Sequence, residues 1–101
     1  MARRVIWSRV AANDLQSIAE YIERDSPRYA ASVIDKILTL ARNLPQYPYL
    51  GRVVPEFGRT DVRERFVFSY RVVYRVSEES ILIVNVIHGR RLYDTDLGKL
   101  S

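Results

Sequence analysis

The chain has 101 residues, of which 48% are hydrophobic and 28% charged, a composition typical of one folded domain rather than a disordered chain. It contains no cysteine, which excludes disulfides and thiolate metal sites and fits a reducing compartment. No apolar run approaches the roughly 18 residues that cross a membrane, and the first residues lack the apolar core of a signal peptide. We therefore expect a single domain over residues 1–101, located in the cytoplasm.

The charge balance indicates negatively charged partners. The formal net charge is +4, and 14 of the 16 basic residues are arginine, with Lys36 and Lys99 as the two lysines. Arginine offers a planar set of donors suited to phosphate, carboxylate and stacked bases. This bias favours nucleic acid or an acidic protein as partner. The alternative is a solvated surface that happens to use arginine.

Two amphipathic helices follow a short first strand. The apolar run RRVIW at 3–7 predicts a strand, and Ser8 is a suitable N-cap for a helix over 9–24. Pro27 stands in the first turn of a second helix, where proline is best tolerated, and that helix runs to about Asn43. The connection is very short, so we expect the helices to form an antiparallel hairpin.

A meander of strands follows the proline- and tyrosine-rich loop at 44–52. The segments DVRERFVF from Asp61 and YRVVYRV from Tyr70 alternate with a period of two. ILIVNVIH from Ile81 is apolar on both faces, which indicates a central strand. A possible short extended piece, RVVPEF, precedes Gly58. The order β-α-α-β-β-β predicts an α+β fold, a two-layer sandwich with the helical hairpin packed on an antiparallel sheet.

Four arginines of the first two meander strands are candidate residues for binding a target or nucleic acid: Arg63, Arg65, Arg71 and Arg75. Each strand carries its two arginines on one face, and hairpin pairing can bring the two pairs side by side. Opposed like charges repel, so such a cluster needs an acidic counterpart. Glu64 is expected on the opposite face, which favours an external counterpart. The alternative is that each arginine pairs with a loop carboxylate such as Glu56 or Asp61.

The single histidine, His88, ends the last strand and is followed closely by Arg90 and Arg91. A histidine beside two arginines suits proton transfer at a phosphate. A nuclease would need a base, an acid and cationic stabilisation of the phosphorane, roles that His88, Tyr74 or Tyr93, and the arginines could fill. The alternative is a strand-end histidine that bonds a backbone group or packs on a tyrosine.

Other site types find no support in the sequence. One histidine and no cysteine cannot build a zinc site of known spacing. Neither the GxxxxGK[ST] loop nor the GxGxxG fingerprint of nucleotide sites occurs. We therefore expect no metal and no cofactor.

The order and spacing of several motifs together resemble the RelE/ParE superfamily of toxins from type II toxin–antitoxin modules. The motifs are AANDLQSIAEYI and SPRYAASVIDKI on the helices, LPQYPYLGRVVPE in the loop, and VRERFVFSYRVVYRV and ILIVNVIHGRR in the strands. They cover nearly the whole chain. The fold that this resemblance implies agrees with the order of elements inferred above.

The superfamily divides by target. RelE-like members are ribosome-dependent mRNA endoribonucleases, and resemblance to them implies catalytic roles for Arg71, Arg91 and Tyr93. For a nuclease, the chemistry of its side chain adds His88 to this set. ParE-like members inhibit DNA gyrase and are not enzymes in their own right. The strand VRERFVF lacks the lysine of many RelE-like catalytic sets, Tyr93 follows Arg91 closely, and the closing HGRR is common in the ParE-like branch. The resemblance therefore implies a ParE-like gyrase inhibitor, with a RelE-like nuclease as the alternative.

In the ParE-like case no catalytic residue is assigned, and the exposed cations serve binding. The residues expected to contact the target are Arg63, Arg65, Arg71, Arg75, His88, Arg90 and Arg91. The resemblance also implies a cognate antitoxin, acidic and partly disordered, that forms a hetero-oligomer with the toxin. An apolar groove on the helical hairpin and an open sheet edge are the surfaces on which such a segment could fold.

Overall fold

The computed structural model describes residues 3–89. Over that range two helices pack against one face of a five-stranded sheet. In chain order the elements are β1 (Arg4–Trp7), α1 (Arg9–Glu23), α2 (Pro27–Asn43), β2 (Arg52–Val53), β3 (Val62–Val67), β4 (Tyr70–Val76) and β5 (Ser80–His88), with a 3₁₀ turn at Leu44–Gln46. This order confirms the predicted α+β class.

Side-chain caps set the beginning of both helices. The Ser8 hydroxyl accepts a hydrogen bond from the backbone N–H of Ala11, and the Ser26 hydroxyl accepts one from that of Tyr29. Each cap satisfies a donor that the first helical turn leaves free. Pro27 follows Ser26 directly, as the sequence predicts. The residues that the helices bury against the sheet are Ala11, Ile22, Ala30, Val33, Ile37 and Ala41.

The strands lie in the order β1-β5-β4-β3-β2. β5 is therefore an interior strand, which confirms the prediction made from its two apolar faces. β1 pairs with β5 in parallel, with Val5 opposite Ile81 and Trp7 opposite Ile83. Among residues 3–89 the sheet is antiparallel, as predicted, except where β1 pairs with β5. The chain between these two strands runs through both helices and β2–β4, which is long enough to return it beside β1 in the same direction.

A β-bulge in β5 is held by α1. Val73 of β4 pairs with Asn85 but the next residue, Tyr74, pairs with Ile83, so β5 carries one extra residue. The Asp14 carboxylate on α1 accepts hydrogen bonds from the Val86 N–H (2.9 Å) and the Asn85 side chain (3.2 Å). The bulge shifts the alternation of β5, so residues beyond it change faces.

A buried tyrosine ties the 44–51 loop to the sheet. The Tyr74 hydroxyl donates to the carbonyl of Pro48 (2.9 Å) and accepts from the N–H of Gly51 (3.2 Å). Tyr74 itself is fully buried. A Cβ on Gly51 would meet that hydroxyl and lie 2.7 Å from the Glu64 carbonyl oxygen, so only glycine fits the approach of the loop. With its hydroxyl committed to the loop, Tyr74 packs as a core residue and is not placed to transfer a proton to a ligand.

Within residues 3–89, the helices are too short and too polar to cross a membrane.

Replacing Tyr74 with phenylalanine is expected to lower the free energy of unfolding by about 1–2 kcal/mol, because two buried loop groups lose their partner. Burial also raises the pKa of the Tyr74 phenol. Its contribution is therefore present below about pH 10, the ordinary pKa of tyrosine, and is lost as pH rises through the folded-state value. Urea unfolding between pH 7 and 11 measures both effects.

The exposed Tyr47 in the same loop provides the control, since Tyr47→Phe removes a hydroxyl from solvent. We expect this variant to unfold like the wild type at neutral pH. Equal midpoints for Tyr74→Phe and wild type at pH 7 would contradict the anchoring role of Tyr74.

Candidate functional site

The sheet face opposite the helices is partly covered by residues 54–58, called here the cover segment. Its Val54 is fully buried and packs with Val62 of β3 and Val73 of β4. Phe57 of the cover segment and Val84 of β5 pack against this small cluster. The cover segment thereby encloses a second core on the outer face, separate from the main core beneath the helices.

Charged groups are buried beside this second core. Arg71 of β4 is only 4% exposed, and its guanidinium donates to Glu64 of β3 (Nη1 to Oε1, 2.8 Å). It also donates twice to Glu56 of the cover segment, with Nη2 to Oε2 at 2.8 Å and Nη1 to Oε1 at 3.3 Å. The other oxygen of Glu64 pairs with Arg52 of β2. We call Arg52, Glu64, Arg71 and Glu56 the outer-face ion network.

The ion network alternates in sign and carries no net formal charge. The Glu64 side chain has no solvent exposure, whereas Arg52 at the rim is 63% exposed. The pKa of Arg71 is raised mainly by its hydrogen bonds to Glu56. Burial lowers this pKa, but the bonds to Glu56 and Glu64 together outweigh that effect. A buried charge of this kind is tolerable only while its partners remain in place. Arg71 is therefore committed to the fold and presents almost no surface to a ligand.

The predicted arginine cluster does not form, because the two arginine pairs lie on opposite faces of the sheet. Arg63 pairs with Tyr74 and Arg65 with Val72, which places both on the helix side. Arg71 lies on the outer face, and so does Arg75, whose partner in the ladder is Val62. The prediction of an external acid for Arg71 was also wrong: Glu64 shares its face, and Glu56, the loop carboxylate of the alternative, completes the pairing.

Arg63 is used inside the molecule. Its guanidinium donates to the backbone carbonyls of Thr60 (2.8 Å), Tyr49 (3.2 Å) and Gly51 (3.1 Å), and it stacks 5.1 Å from the centre of the Tyr49 ring. These contacts hold the 44–51 loop against β3. Its expected role in target binding stays a prediction, although the fold already occupies most of its donors.

Arg65 and Arg75 differ in their surroundings. Both are partly exposed. Arg75 lies near Asp61, where it adds to the larger effect of Arg59 in holding the pKa of that carboxyl below its usual range. Among residues 3–89, no side-chain hydrogen bond or ion pair is found for Arg65, which makes it the better candidate of the two for an external anion.

His88 is exposed at the end of β5, where the bulge turns it to the helix side opposite Tyr70. The two rings meet edge to face with their centres 5.7 Å apart. This is the packing on a tyrosine foreseen as the alternative to a catalytic role. The other members of the proposed group, Arg90, Arg91 and Tyr93, lie outside the described residues, so their association with His88 stays a prediction.

A cleft of about 460 Å³ opens between the end of β5 and the β3–β4 turn. Its lining residues are Phe66, Phe68, Ser69, His88 and Gly89. Phe66 and Phe68, which were not among the residues predicted to contact a target, are 50% and 51% exposed. For Phe68 the available signal was its place next to Ser69 between two strand patterns, where a hairpin turn would hold it away from either core; Phe66 lies in β3 and carried no such signal.

The described part of the chain contains no group of three or more histidine, cysteine, aspartate or glutamate residues placed to hold a metal ion.

Glu64→Gln is expected to lower the free energy of unfolding by about 3 kcal/mol, because it removes one of the two carboxylates that neutralise buried Arg71. Asp61→Asn is the matched control, since it breaks the exposed ion pair with Arg59, for which we expect a loss below about 1 kcal/mol. Urea unfolding at pH 7 measures both. Similar losses for the two variants would show that the ion network contributes no more than a surface pair.

The sequence matches the family model described as the ParE toxin of the type II toxin–antitoxin system, parDE, over residues 5–93. Toxin ParE3 of Caulobacter vibrioides is 28% identical over 97 residues, covering 95% of this chain and 96% of that protein. Toxin RelE2 of the same organism is 32% identical over 90 residues, covering 88% of this chain and 98% of that protein.

The fold has a solved counterpart in the chromosomal ParDE TA system from P. aeruginosa. That structure matches with a TM-score of 0.70 and 23% sequence identity, over 86% of this chain and 96% of the other. The helical hairpin on a mostly antiparallel open sheet is thus the fold of these toxins. The family match and the relatives confirm the resemblance: the chain belongs to the ParE toxin family of type II toxin–antitoxin systems, within the RelE/ParE superfamily.

Proposed function

We propose that the protein is a ParE-like toxin that inhibits DNA gyrase by binding it. The observation that carries this proposal is the state of Arg71. At the strand position where the RelE-like resemblance implies a catalytic arginine, Arg71 is 4% exposed and bound by two carboxylates. A cation that stabilises a phosphorane must face the phosphate with its charge available. Glu56 and Glu64 neutralise the charge of Arg71 within the fold, which favours a toxin that acts through contacts rather than through chemistry.

The toxin is proposed to be neutralised by an acidic antitoxin. The chain has a net charge of +4, so complementary charge would speed association with an acidic partner. β1 stands at one edge of the sheet with β5 as its neighbour, and a peptide strand can add to such an edge. The helical hairpin exposes Val10, Tyr21 and Tyr29, which offer apolar anchors to a segment that folds on binding.

A ribosome-dependent endoribonuclease is the second candidate, because RelE2 of C. vibrioides is 32% identical to the chain. This function would require Arg71 to leave both carboxylates, or the work to be done by other residues. His88 is exposed and could approach a phosphate. Using Arg71 for nuclease activity therefore requires the ion network to open, whereas inhibition of gyrase does not.

We expect the purified toxin to block supercoiling of plasmid DNA by gyrase and to accumulate cleaved plasmid. In a parallel reaction with translating ribosomes, we expect a defined mRNA to stay intact. Plasmid topology on agarose gels and primer extension of the mRNA measure the two outcomes. Ribosome-dependent cuts in the mRNA, with gyrase unaffected, would replace the proposal with the second candidate.

The double variant Arg71→Met, Glu64→Leu tests the role of Arg71 while limiting damage to the fold. Replacing both members of a buried ion pair with apolar side chains can be neutral for stability, whereas removing one is costly. Glu56 and Arg52 remain, and both reach solvent, with 18% and 63% of their side chains exposed. We expect this variant to inhibit gyrase within about threefold of wild type, since its partner-binding surface is unchanged.

Circular dichroism and thermal unfolding establish that the double variant is folded. The single variant Glu64→Leu, which leaves Arg71 with Glu56 alone, serves as its control for disruption of the network. Complete loss of toxicity in a folded double variant would indicate that Arg71 itself is required, as a nuclease would need.

A further inference from the structure

Two aromatic rings are exposed at the end of the β3–β4 hairpin, one on β3 and one in the turn. Phe66 and Phe68 are each about half exposed, and with Ser69, His88 and Gly89 they line the cleft of about 460 Å³ described above. We call it the hairpin-tip cleft. Large aromatic side chains are usually drawn into a core, and an exposed pair of them around a concavity is a recurrent feature of interaction sites.

Phe68 is held in a strained conformation. Its φ is +53°, and among residues 3–89 no other non-glycine residue has a positive φ. It is the first of two residues in the turn between Val67 and Tyr70, a position where glycine, asparagine or aspartate is preferred. The phenylalanine ring gains little burial in return, since half of it faces solvent. Strain of this kind persists mainly where function requires the residue.

The hairpin-tip cleft is preformed. The N–H of Gly89 donates to the carbonyl of Ser69, which joins the end of β5 to the turn. A Cβ on Gly89 would lie 2.9 Å from both the Phe66 ring and the Ser69 carbonyl oxygen, so the strand end closes tightly on the turn. A rigid concavity loses little entropy when it binds a partner.

Two basic side chains stand beside the cleft, Lys36 and the Arg52 that is paired with Glu64. None of the five lining residues is acidic. The Lys36 ammonium lies 5.9 Å from the centre of the Phe68 ring, and the Arg52 guanidinium lies 5.9 Å from the centre of the Phe66 ring. Tyr29 of α2 packs beside Phe68, with ring centres 6.0 Å apart. An acidic surface that offers an apolar side chain would complement this arrangement.

The size of the cleft favours a folded partner over a wrapped segment. Five residues provide a socket for one protruding side chain, whereas a disordered segment uses a long groove or a sheet edge. We infer that the hairpin-tip cleft receives an apolar side chain from an acidic surface of the toxin's folded protein target. This inference rests on the proposed function in taking that protein to be gyrase.

Phe68→Asn is the decisive variant, because asparagine tolerates a positive φ and removes the ring. We expect the melting temperature to stay the same or rise by a few degrees, as strain is relieved. We expect the concentration needed for half-inhibition of gyrase supercoiling to rise at least about tenfold, the effect of losing one interface hot spot. Growth arrest after induced expression should weaken in parallel.

Two control variants isolate the ring. Phe68→Tyr retains the aromatic ring and should inhibit gyrase within about threefold of wild type, as expected when the anchor is kept. Tyr47→Asn makes the same kind of change at an exposed aromatic residue in the 44–51 loop, away from the cleft, and should leave inhibition unchanged.

A folded Phe68→Asn that inhibits gyrase and arrests growth like the wild type overturns the inference. The same holds if the variant keeps full activity but escapes a co-expressed antitoxin or loses self-association, which would assign the cleft to those partners. Failure of the proposed function looks different: wild-type toxin arrests growth without affecting gyrase. In that case, loss of growth arrest in stable Phe68→Asn would still support the cleft as the target-binding site.

Discussion

The pairing register of β3 and β4 is set by a turn of only two residues, Phe68 and Ser69. A two-residue turn places Val67 opposite Tyr70, and every further pair follows from that first one. Glu64 is thereby brought to the same face as Arg71, and Arg63 to the face of Tyr74. The outer-face ion network, the anchoring of the 44–51 loop and the exposure of the turn aromatics all depend on this register. A slip of one residue would turn every side chain of the shifted strand to the opposite face of the sheet.

α1 imposes a second constraint on the sheet. β1 is four residues long and β5 is nine, so β1 pairs with only the first part of β5. Beyond β1 the chain continues as α1, which packs beside the rest of β5. Ser8 donates to the carbonyl of Val84, and Asp14 accepts from the N–H of Val86. These side chains replace the missing ladder partners and hold the bulge in place. Because the bulge reverses the alternation, a helix side chain determines the side of the sheet on which His88 emerges.

The helices and strands of this fold could be predicted from short-range sequence patterns. The face of the sheet on which each side chain lies could not. Ser8, Ser26 and Pro27 mark helix beginnings through hydrogen bonds that span three residues, so the sequence shows them directly. The two apolar faces of β5 likewise indicate an interior strand. Which arginines share a face depends on turn length, and a period-two pattern is the same for turns of even or odd length. The β5 bulge and its partner Asp14 are separated by about 70 residues in sequence, so no local signal relates them.

The candidate site was harder to predict for the same reason. The sequence indicated Glu56 as one possible carboxylate partner for an arginine. That it pairs with Arg71 depends on how the cover segment folds over the sheet. Phe66 belongs to β3, and Phe68 also fits a strand pattern until the two-residue turn that contains it is located. The family resemblance gave the correct fold and class of protein, because it rests on the order of whole motifs rather than on any single contact.

The burial of Arg71 between Glu56 and Glu64 also constrains how this sequence can evolve. Loss of either carboxylate alone would leave the arginine only partly neutralised in a water-poor site, a change that costs much of a small domain's stability. Loss of Arg71 alone would remove the cation shared by Glu56 and Glu64 and leave Glu64 with Arg52 as its ion-pair partner. A neutral change at Arg71 therefore requires a coordinated substitution of a buried partner, such as apolar replacement of Arg71 and Glu64 together. Evolution from a toxin with this ion network to one with an exposed arginine at the same position would pass through single substitutions that fold poorly.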